Sequence, residues 1–149
     1  MGKFFGTYNR TLDAKNRLLL PSKLMKDVPS HLYLLRGFEG TVSLYLEETF
    51  QNYIAKLEKL SYFDPKARSF LRLALGSVID LEVDSHSRIT IPTEVKNRYH
   101  LSNEIVILGV LDHIELFDKA AYEDYLNKES DQFEEIALAL DNSAKEGRE

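Results

Sequence analysis

Asp13-Ala14-Lys15-Asn16-Arg17-Leu18-Leu19-Leu20-Pro21 recurs 71 residues later as Asp84-Ser85-His86-Ser87-Arg88-Ile89-Thr90-Ile91-Pro92. The Asp, the Arg, two aliphatic positions and the Pro all keep register. Beyond this stretch the offset becomes 72. Tyr33-Leu34-Leu35-Arg36-Gly37 then falls on Ile105-Val106-Ile107-Leu108-Gly109, and Val42, Leu44 and Tyr45 fall on Ile114, Leu116 and Phe117. Phe50 and Tyr53 fall on Tyr122 and Tyr125. Matches in this order over about 45 residues mark an internal duplication.

Each copy reads in the same terms. Gly6–Leu12 and Ser77–Val83 are predicted strands, the second alternating Val78, Ile79, Leu81 and Val83 with polar residues. The polar Asp-x-x-x-Arg segment reads as a tight turn. A short strand follows (Leu18–Leu20; Ile89–Ile91), and Pro21 and Pro92 are expected to open short helices, where a missing N–H costs nothing. Leu32–Gly37 with Val42–Leu46, and Ile105–Val110 with Ile114–Phe117, read as hairpins turning at Glu39-Gly40 and Asp112-His113. An amphipathic helix closes the first copy, with Phe50, Tyr53/Ile54, Leu57 and Leu60 at helical spacing. Its acids lie at the start and its lysines near the end, the order that the helix dipole favours.

Between the copies, Asp64-Pro65 reads as an N-cap followed by a first-turn proline. The helix it opens places Ala67, Phe70, Leu71, Ala74 and Leu75 on one side. Asp131 with Glu134 resembles a capping box, ahead of an apolar stripe of Phe133, Ile136, Ala137 and Leu140. Asp141–Glu149 is polar and is expected to fray. No linker rich in Gly, Ser or Pro separates the halves, so one shared core is expected.

The chain has 149 residues, no cysteine and a net charge of −5. Disulfide scaffolds, thiolate metal sites and cysteine nucleophiles are thereby excluded. No run of 18 apolar residues occurs and Met1 to Asn9 lack the apolar core of a signal peptide, so a cytosolic location is the expectation. The net charge conceals a gradient. From Glu115 onward there are 11 acidic and 4 basic residues, whereas Met1–Lys26 holds six basic residues against Asp13 alone. A basic front before an acidic end fits an anion-binding face kept soluble by the far end; chance clustering in a short window is the competing reading.

Catalysis finds little support. The histidines His31, His86, His100 and His113 lack metalloprotease spacing, and no Walker A, G-x-G-x-x-G or G-x-S-x-G is present. His113-Ile114-Glu115 reads as a turn or surface segment, and Asp84 with His86 offers two potential ligands where a metal needs more. No enzyme, cofactor or metal is expected.

Two readings of the repeated Asp-x-x-x-Arg are open. In one, the Asp bonds the turn amides and the Arg merely screens it. In the other the Asp keeps that role while Arg17, with Lys15 and Asn16, projects outward. Arg presents a planar fork that can bond two acceptors of guanine at once, and Lys supplies phosphate affinity.

Taken together, these residues resemble the MraZ family of bacterial transcriptional regulators, built from two SpoVT-AbrB-type modules. The resemblance spans nearly the whole chain. It rests on Gly6, Leu12-Asp13-x-Lys15-x-Arg17 and Leu20-Pro21, on Asp64-Pro65-x-x-Arg68-x-x-x-Arg72-x-x-x-Gly76, and on Asp84-x-x-x-Arg88-x-x-Ile91-Pro92 with Leu108-Gly109 and Leu116-Phe117-Asp118. It implies an α+β fold of duplicated AbrB-like (double-split βαβ) modules, intertwined in one core, with additional helices. The implied boundaries are module 1 at 7–50, connecting helices at 51–76, module 2 at 78–121, and a C-terminal helix with acidic tail at 122–149.

The function it implies is sequence-specific binding of double-stranded DNA at short direct repeats upstream of the protein's own operon, in the cell-division and cell-wall gene cluster. A homo-oligomeric ring of many subunits, a cytoplasmic, nucleoid-associated location and no membrane go with it. The implied DNA-binding residues are Arg17, Lys15, Asn16, Arg88, Arg10 and His86, with Asp13 and Asp84 structuring the turns. An antitoxin-like protein-interaction module is the alternative. Two departures stand out: the family usually has Gly just before the Arg, where this chain has Asn16 and Ser87, and His86 stands where the first copy has Lys15. Asn tolerates the left-handed conformation better than Ser, so the first copy is expected to be the principal reader.

Overall fold

The computed structural model describes residues 3–25, 27 and 29–147. It divides into two compact units, Met1–Lys119 and Ala120–Glu149. The first unit runs β1 (Phe4–Thr11), β2 (Arg17–Leu19), β3 (His31–Arg36), β4 (Val42–Tyr45), α1 (Glu47–Leu57), α2 (Pro65–Leu75), β5 (Ile79–Glu82), β6 (Arg88–Thr90), α3 (Thr93–Arg98), β7 (Glu104–Leu111) and β8 (His113–Asp118). Helix α4 (Lys119–Glu129), a 3₁₀ turn at Ser130–Gln132 and α5 (Phe133–Glu146) follow. The expected α+β class stands.

Among the described residues, six strands form one sheet in the order β1-β7-β8-β4-β3-β5, and β2 pairs separately with β6. Every pairing is antiparallel. Exchanging each strand for its counterpart in the other copy (β1 with β5, β3 with β7, β4 with β8) returns the same order reversed. The halves trade strands: β1 of the first pairs with β7 of the second, and β5 of the second pairs with β3 of the first. Neither half completes its sheet alone.

Strand alternation sorts side chains to two faces. One face sends Leu34, Leu44, Ile107, Ile114 and Leu116 against Leu18, Leu20, Ile89 and Ile91 from the β2–β6 ribbon and Val95 from α3, all buried. On the other face α1 lays Phe50 over Leu35 and Tyr45. Phe50 also stacks on Tyr33 with ring centroids 4.1 Å apart. Removing a side chain as completely enclosed as Leu18 or Ile89 costs about 2–5 kcal/mol.

Two glycines set the closeness of β1 to β7. Gly6 and Gly109 sit opposite each other in register, and Gly6 has φ of 98°. A Cβ on Gly109 would lie 2.7 Å from Phe5 Cα, a separation that real Cβ atoms essentially never show, so β1 would have to shift. At the β3–β4 turn, Glu39 and Gly40 both have positive φ (56° and 77°), and Thr41 N donates to Phe38 O at 3.1 Å. Such mirror-image turns match the twist of the flanking strands.

Several expectations need correction. The segment after Pro21 is a turn through Leu24 rather than a helix, with Leu24 and Met25 N–H donating to Pro21 O. Pro92 is the N-cap of α3, one position earlier than expected. Asp64 does cap α2, accepting from Lys66 N at 2.9 Å. The expected capping box at Asp131 does not form: Asp131 lies inside the 3₁₀ turn, and α5 begins after Gln132 without a side-chain cap. The tail expected to fray is helical as far as Glu146. Lys26, Val28, Arg148 and Glu149 lie outside the described residues. Among the described residues no helix is long and apolar enough to cross a membrane.

Candidate nucleic-acid interface

The two Asp-x-x-x-Arg turns are built by the same set of bonds. In the first, Asp13 Oδ1 accepts from the backbone N–H of Lys15 and of Arg17, both at 2.9 Å. Asp13 Oδ2 accepts from Arg17 Nε at 2.6 Å. In the second, Asp84 Oδ1 accepts from the N–H of His86 and of Arg88 at 2.9 Å, and Oδ2 from Arg88 Nε at 2.8 Å. The backbone closes both alike, with Asn16 N donating to Asp13 O and Ser87 N donating to Asp84 O. Asn16 and Ser87 have φ of 59° and 61°. This is the left-handed region that glycine enters freely, and Asn16 and Ser87 occupy it despite their side chains.

These bonds tune the carboxylates. The Arg17 N–H holds Asp13 down to about 2; partial burial opposes this, while the Arg17 guanidinium and the Lys15 N–H reinforce it. At Asp84 burial raises the value, but the N–H groups of Arg88 and His86 and the Arg88 guanidinium outweigh it, leaving a net lowering. Both carboxylates are therefore ionised across the neutral range.

The Asp–Arg bond uses Nε, the inner nitrogen. Among the described residues neither Arg17 nor Arg88 spends its terminal amino groups on a protein partner. Each arginine thus supports its turn from one side and keeps the outer fork available.

Ribbon pairing brings the turns together. Arg17 lies opposite Thr90, and Leu19 lies opposite Arg88. Leu18 and Ile89 point inward and are buried, so Arg17, Leu19, Arg88 and Thr90 share the outer face. Two register steps and one strand spacing place the arginine Cα atoms roughly 8 Å apart. Reciprocal bonds lock the junction: Leu20 N donates to Ser87 O at 2.9 Å and Ile91 N donates to Asn16 O at 2.8 Å.

Lys15 and His86 project into solvent from equivalent turn positions, His86 Nδ1 lying 3.3 Å from Ser85 Oγ. The Asn16 side chain is turned inward instead. Its Oδ1 accepts from Lys96 Nζ at 3.1 Å, and its amide lies 3.5 Å from Thr93 Oγ1. Arg10 stands away from the turns on β1, opposite Ile105. Its guanidinium lies over the Tyr8 ring at 5.9 Å, and one terminal nitrogen donates to Asn9 O.

Lys96 escaped the sequence reading. Its ammonium joins Asn16 of the first copy to Asn103 of the second, at 3.1 and 2.7 Å. Nothing local to Lys96 signals a partner 80 residues away. The expectation of a turn or surface position for His113 needs correction, because it is the first residue of β8. Its side chain is largely covered, stacks on Tyr45 at 4.9 Å, and bonds Asp112 Oδ1 at 2.8 Å and Glu115 Oε2 at 3.0 Å. Burial disfavours its charge, but the Glu115 and Asp112 carboxylates prevail and raise its pKa. Among the described residues no group of three or more His, Asp or Glu side chains converges to hold a metal.

A family described as "MraZ protein, putative antitoxin-like" matches residues 4–73 and 75–142. A protein of Mycoplasmoides gallisepticum named "Transcriptional regulator MraZ" is 37% identical over 139 residues, covering 93% of this chain and 98% of the relative. A protein of the same name from Mesoplasma florum is 36% identical, covering 92% and 94%. A third, from a Thermoanaerobacter species, is 31% identical, covering 92% and 96%. On this similarity along nearly its full length, the chain belongs to the MraZ family.

Proposed function

We propose that this protein is a transcription regulator without enzymatic activity that binds double-stranded DNA through its paired Asp-x-x-x-Arg turns. The relatives' shared name supports regulation of transcription. The observation that carries the DNA reading is the outer face of the β2–β6 ribbon, where Arg17 and Arg88 each keep a free fork beside an exposed Lys15 or His86. A two-stranded ribbon fits the major groove. Arg17 reads base edges, Lys15 holds phosphate, and Arg88 and His86 repeat the arrangement in the second turn. Asn16 acts by shaping the turn, and Arg10 is an outlying phosphate contact.

In this reading residues 7–50 and 78–121 are two AbrB-like modules joined by helices at 51–76, with the acidic segment 122–149 following. The targets are short direct repeats upstream of the protein's own operon in the cell-division and cell-wall cluster, and the protein works in the cytoplasm at the nucleoid. One ribbon makes too few contacts for useful affinity, so an oligomeric ring that engages successive repeats turns later contacts into intramolecular ones.

Titration of the upstream region against scrambled DNA tests this. Arg17→Lys keeps the charge but not the fork, so it lowers discrimination by about 1–3 kcal/mol while general affinity persists. Lys15→Ala weakens both DNAs alike and reduces the salt slope by about 1. Equal affinity for the two DNAs, or unchanged discrimination in Arg17→Lys, refutes the reading. Such a result favours the second one, a protein-interaction module, for which the family's antitoxin-like description speaks.

A further inference from the structure

A cleft of about 570 Å³ opens between the β3–β4 turn, α2 and the end of α3. Small-molecule sites span about 300–1,000 Å³, so this one has room for a ligand of two fused rings. The cleft lies on the sheet face that carries Leu35 and Tyr45, opposite the face covered by the β2–β6 ribbon. Its banks are flat. Phe38 from the turn and Phe70 from α2 stand nearly parallel, 14° apart, with ring centroids separated by 6.5 Å. Phe38 is 71% exposed, an aromatic ring left open to solvent beside a cavity.

The polar groups of the cleft are few and unspent. Ser43 lines it and is only 5% exposed, yet among the described residues its hydroxyl bonds no protein group. A buried hydroxyl without a partner carries a desolvation cost that a bound polar atom removes. Gly37 keeps this hydroxyl uncovered, since a Cβ there would stand 2.9 Å from Ser43 Oγ. Glu115 faces Ser43 across the β4–β8 pairing. It gives Oε2 to His113 at 3.0 Å, and among the described residues its Oε1 makes no further bond. Arg36 and Arg98 are exposed on the rim, and among the described residues neither guanidinium has a partner. Glu39 is the one exposed acid among the lining residues.

We infer that this cleft binds a planar aromatic carboxylate that carries a hydroxyl at the far end of its rings. The rings lie against Phe38 and Phe70, and the carboxylate meets Arg36 and Arg98 at the rim. The hydroxyl reaches the floor, where it donates to Glu115 and accepts from Ser43. The ligand class follows from this order of groups: cations outside, flat apolar banks, then a donor and an acceptor inside. The site is on the far side of the sheet from the turns, so it is independent of what they bind.

The test is isothermal titration of the full chain at neutral pH without DNA. The probe is the hydroxynaphthoate whose two groups lie at opposite ends of the ring pair. Naphthoate, which lacks the hydroxyl, and naphthol, which lacks the carboxylate, are the comparators. One probe should bind per chain, and each comparator should bind about tenfold more weakly, as when a hydrogen bond to a charged group is lost. Ser43→Ala should narrow the gap to naphthoate, and Arg36→Gln/Arg98→Gln should close the gap to naphthol; circular dichroism confirms that both variants fold. Ile136→Asp/Leu140→Asp, which breaks the exposed apolar stripe of α5, should leave binding unchanged. No binding, equal binding of the three compounds, or gaps that persist in the cleft variants overturns the proposal. So does loss of binding in the α5 variant, which shows the probe merely coating exposed apolar surface. Arg17→Lys should leave probe binding unchanged, so this site and the reading of the turns fail separately.

Discussion

Asn16 and Ser87 stand 71 residues apart in sequence, share the left-handed backbone conformation (φ 59° and 61°), and each give a carbonyl to the other copy's strand. Each is at once the corner of its own turn and the clasp on its counterpart. Strain at either position is therefore felt across the whole ribbon.

Ser87→Gly should stabilise the protein by up to about 1 kcal/mol, because a Cβ in the left-handed region carries a penalty of that order. Asn16→Gly should gain less, since it also gives up the bond from Lys96. Chemical denaturation of the two variants beside wild type measures the difference, and Ser87→Val should move the other way.

Acid should release the turns late. Asp13 titrates at about 2 in the folded chain, against an ordinary value of 3.8. A depressed carboxylate contributes stability that is complete above its unfolded value and is lost as pH falls through the folded one. The Asp13 contribution should hold above about pH 5 and disappear between about pH 4 and 2. Carboxyl carbon NMR should show that low midpoint in wild type, and Arg17→Ala should move it upward.

His113 should act in the opposite sense. Its folded pKa lies above the ordinary 6.5. Its stabilising charge is thus fully present below 6.5 and is lost as pH rises through the folded value. Imidazole proton NMR should place the midpoint above 6.5, and Glu115→Gln should lower it. Unfolding midpoints should fall over the same window in wild type and show a smaller change in His113→Gln.

Gly109→Ala should destabilise by about 1–3 kcal/mol, the usual cost of forcing an extra group into a packed site. The added methyl meets the β1 backbone at Phe5 rather than a flexible side chain, so β1 must shift. Thermal unfolding reads the loss, and amide exchange should rise first along β1.

Much of this was open to a sequence reader. The duplicated turn, its Asp-centred bonding and the cap at Asp64-Pro65 involve residues within a few positions of each other, so residue type and spacing determine them. The first hairpin and α1 followed from alternation and helical period, whereas the second hairpin turns at Leu111-Asp112 rather than Asp112-His113, because Val110 pairs with His113. Local reading failed at Asp131, where capping chemistry was present but the chain formed a 3₁₀ turn instead, and after Pro21, where a turn replaced the helix.

The sequence by itself determined the duplication, the turn and the residues that line it. Only the tertiary structure decided that β1 pairs with β7 and β5 with β3, that Arg17 and Arg88 share one face, that Asn16 is taken up by Lys96, and that His113 is enclosed by two carboxylates. The reason is physical. A bond between near neighbours depends on chemistry carried by those residues alone, whereas strand partners are selected by how much apolar surface the whole chain buries, and that driving force has no direction written in any local segment.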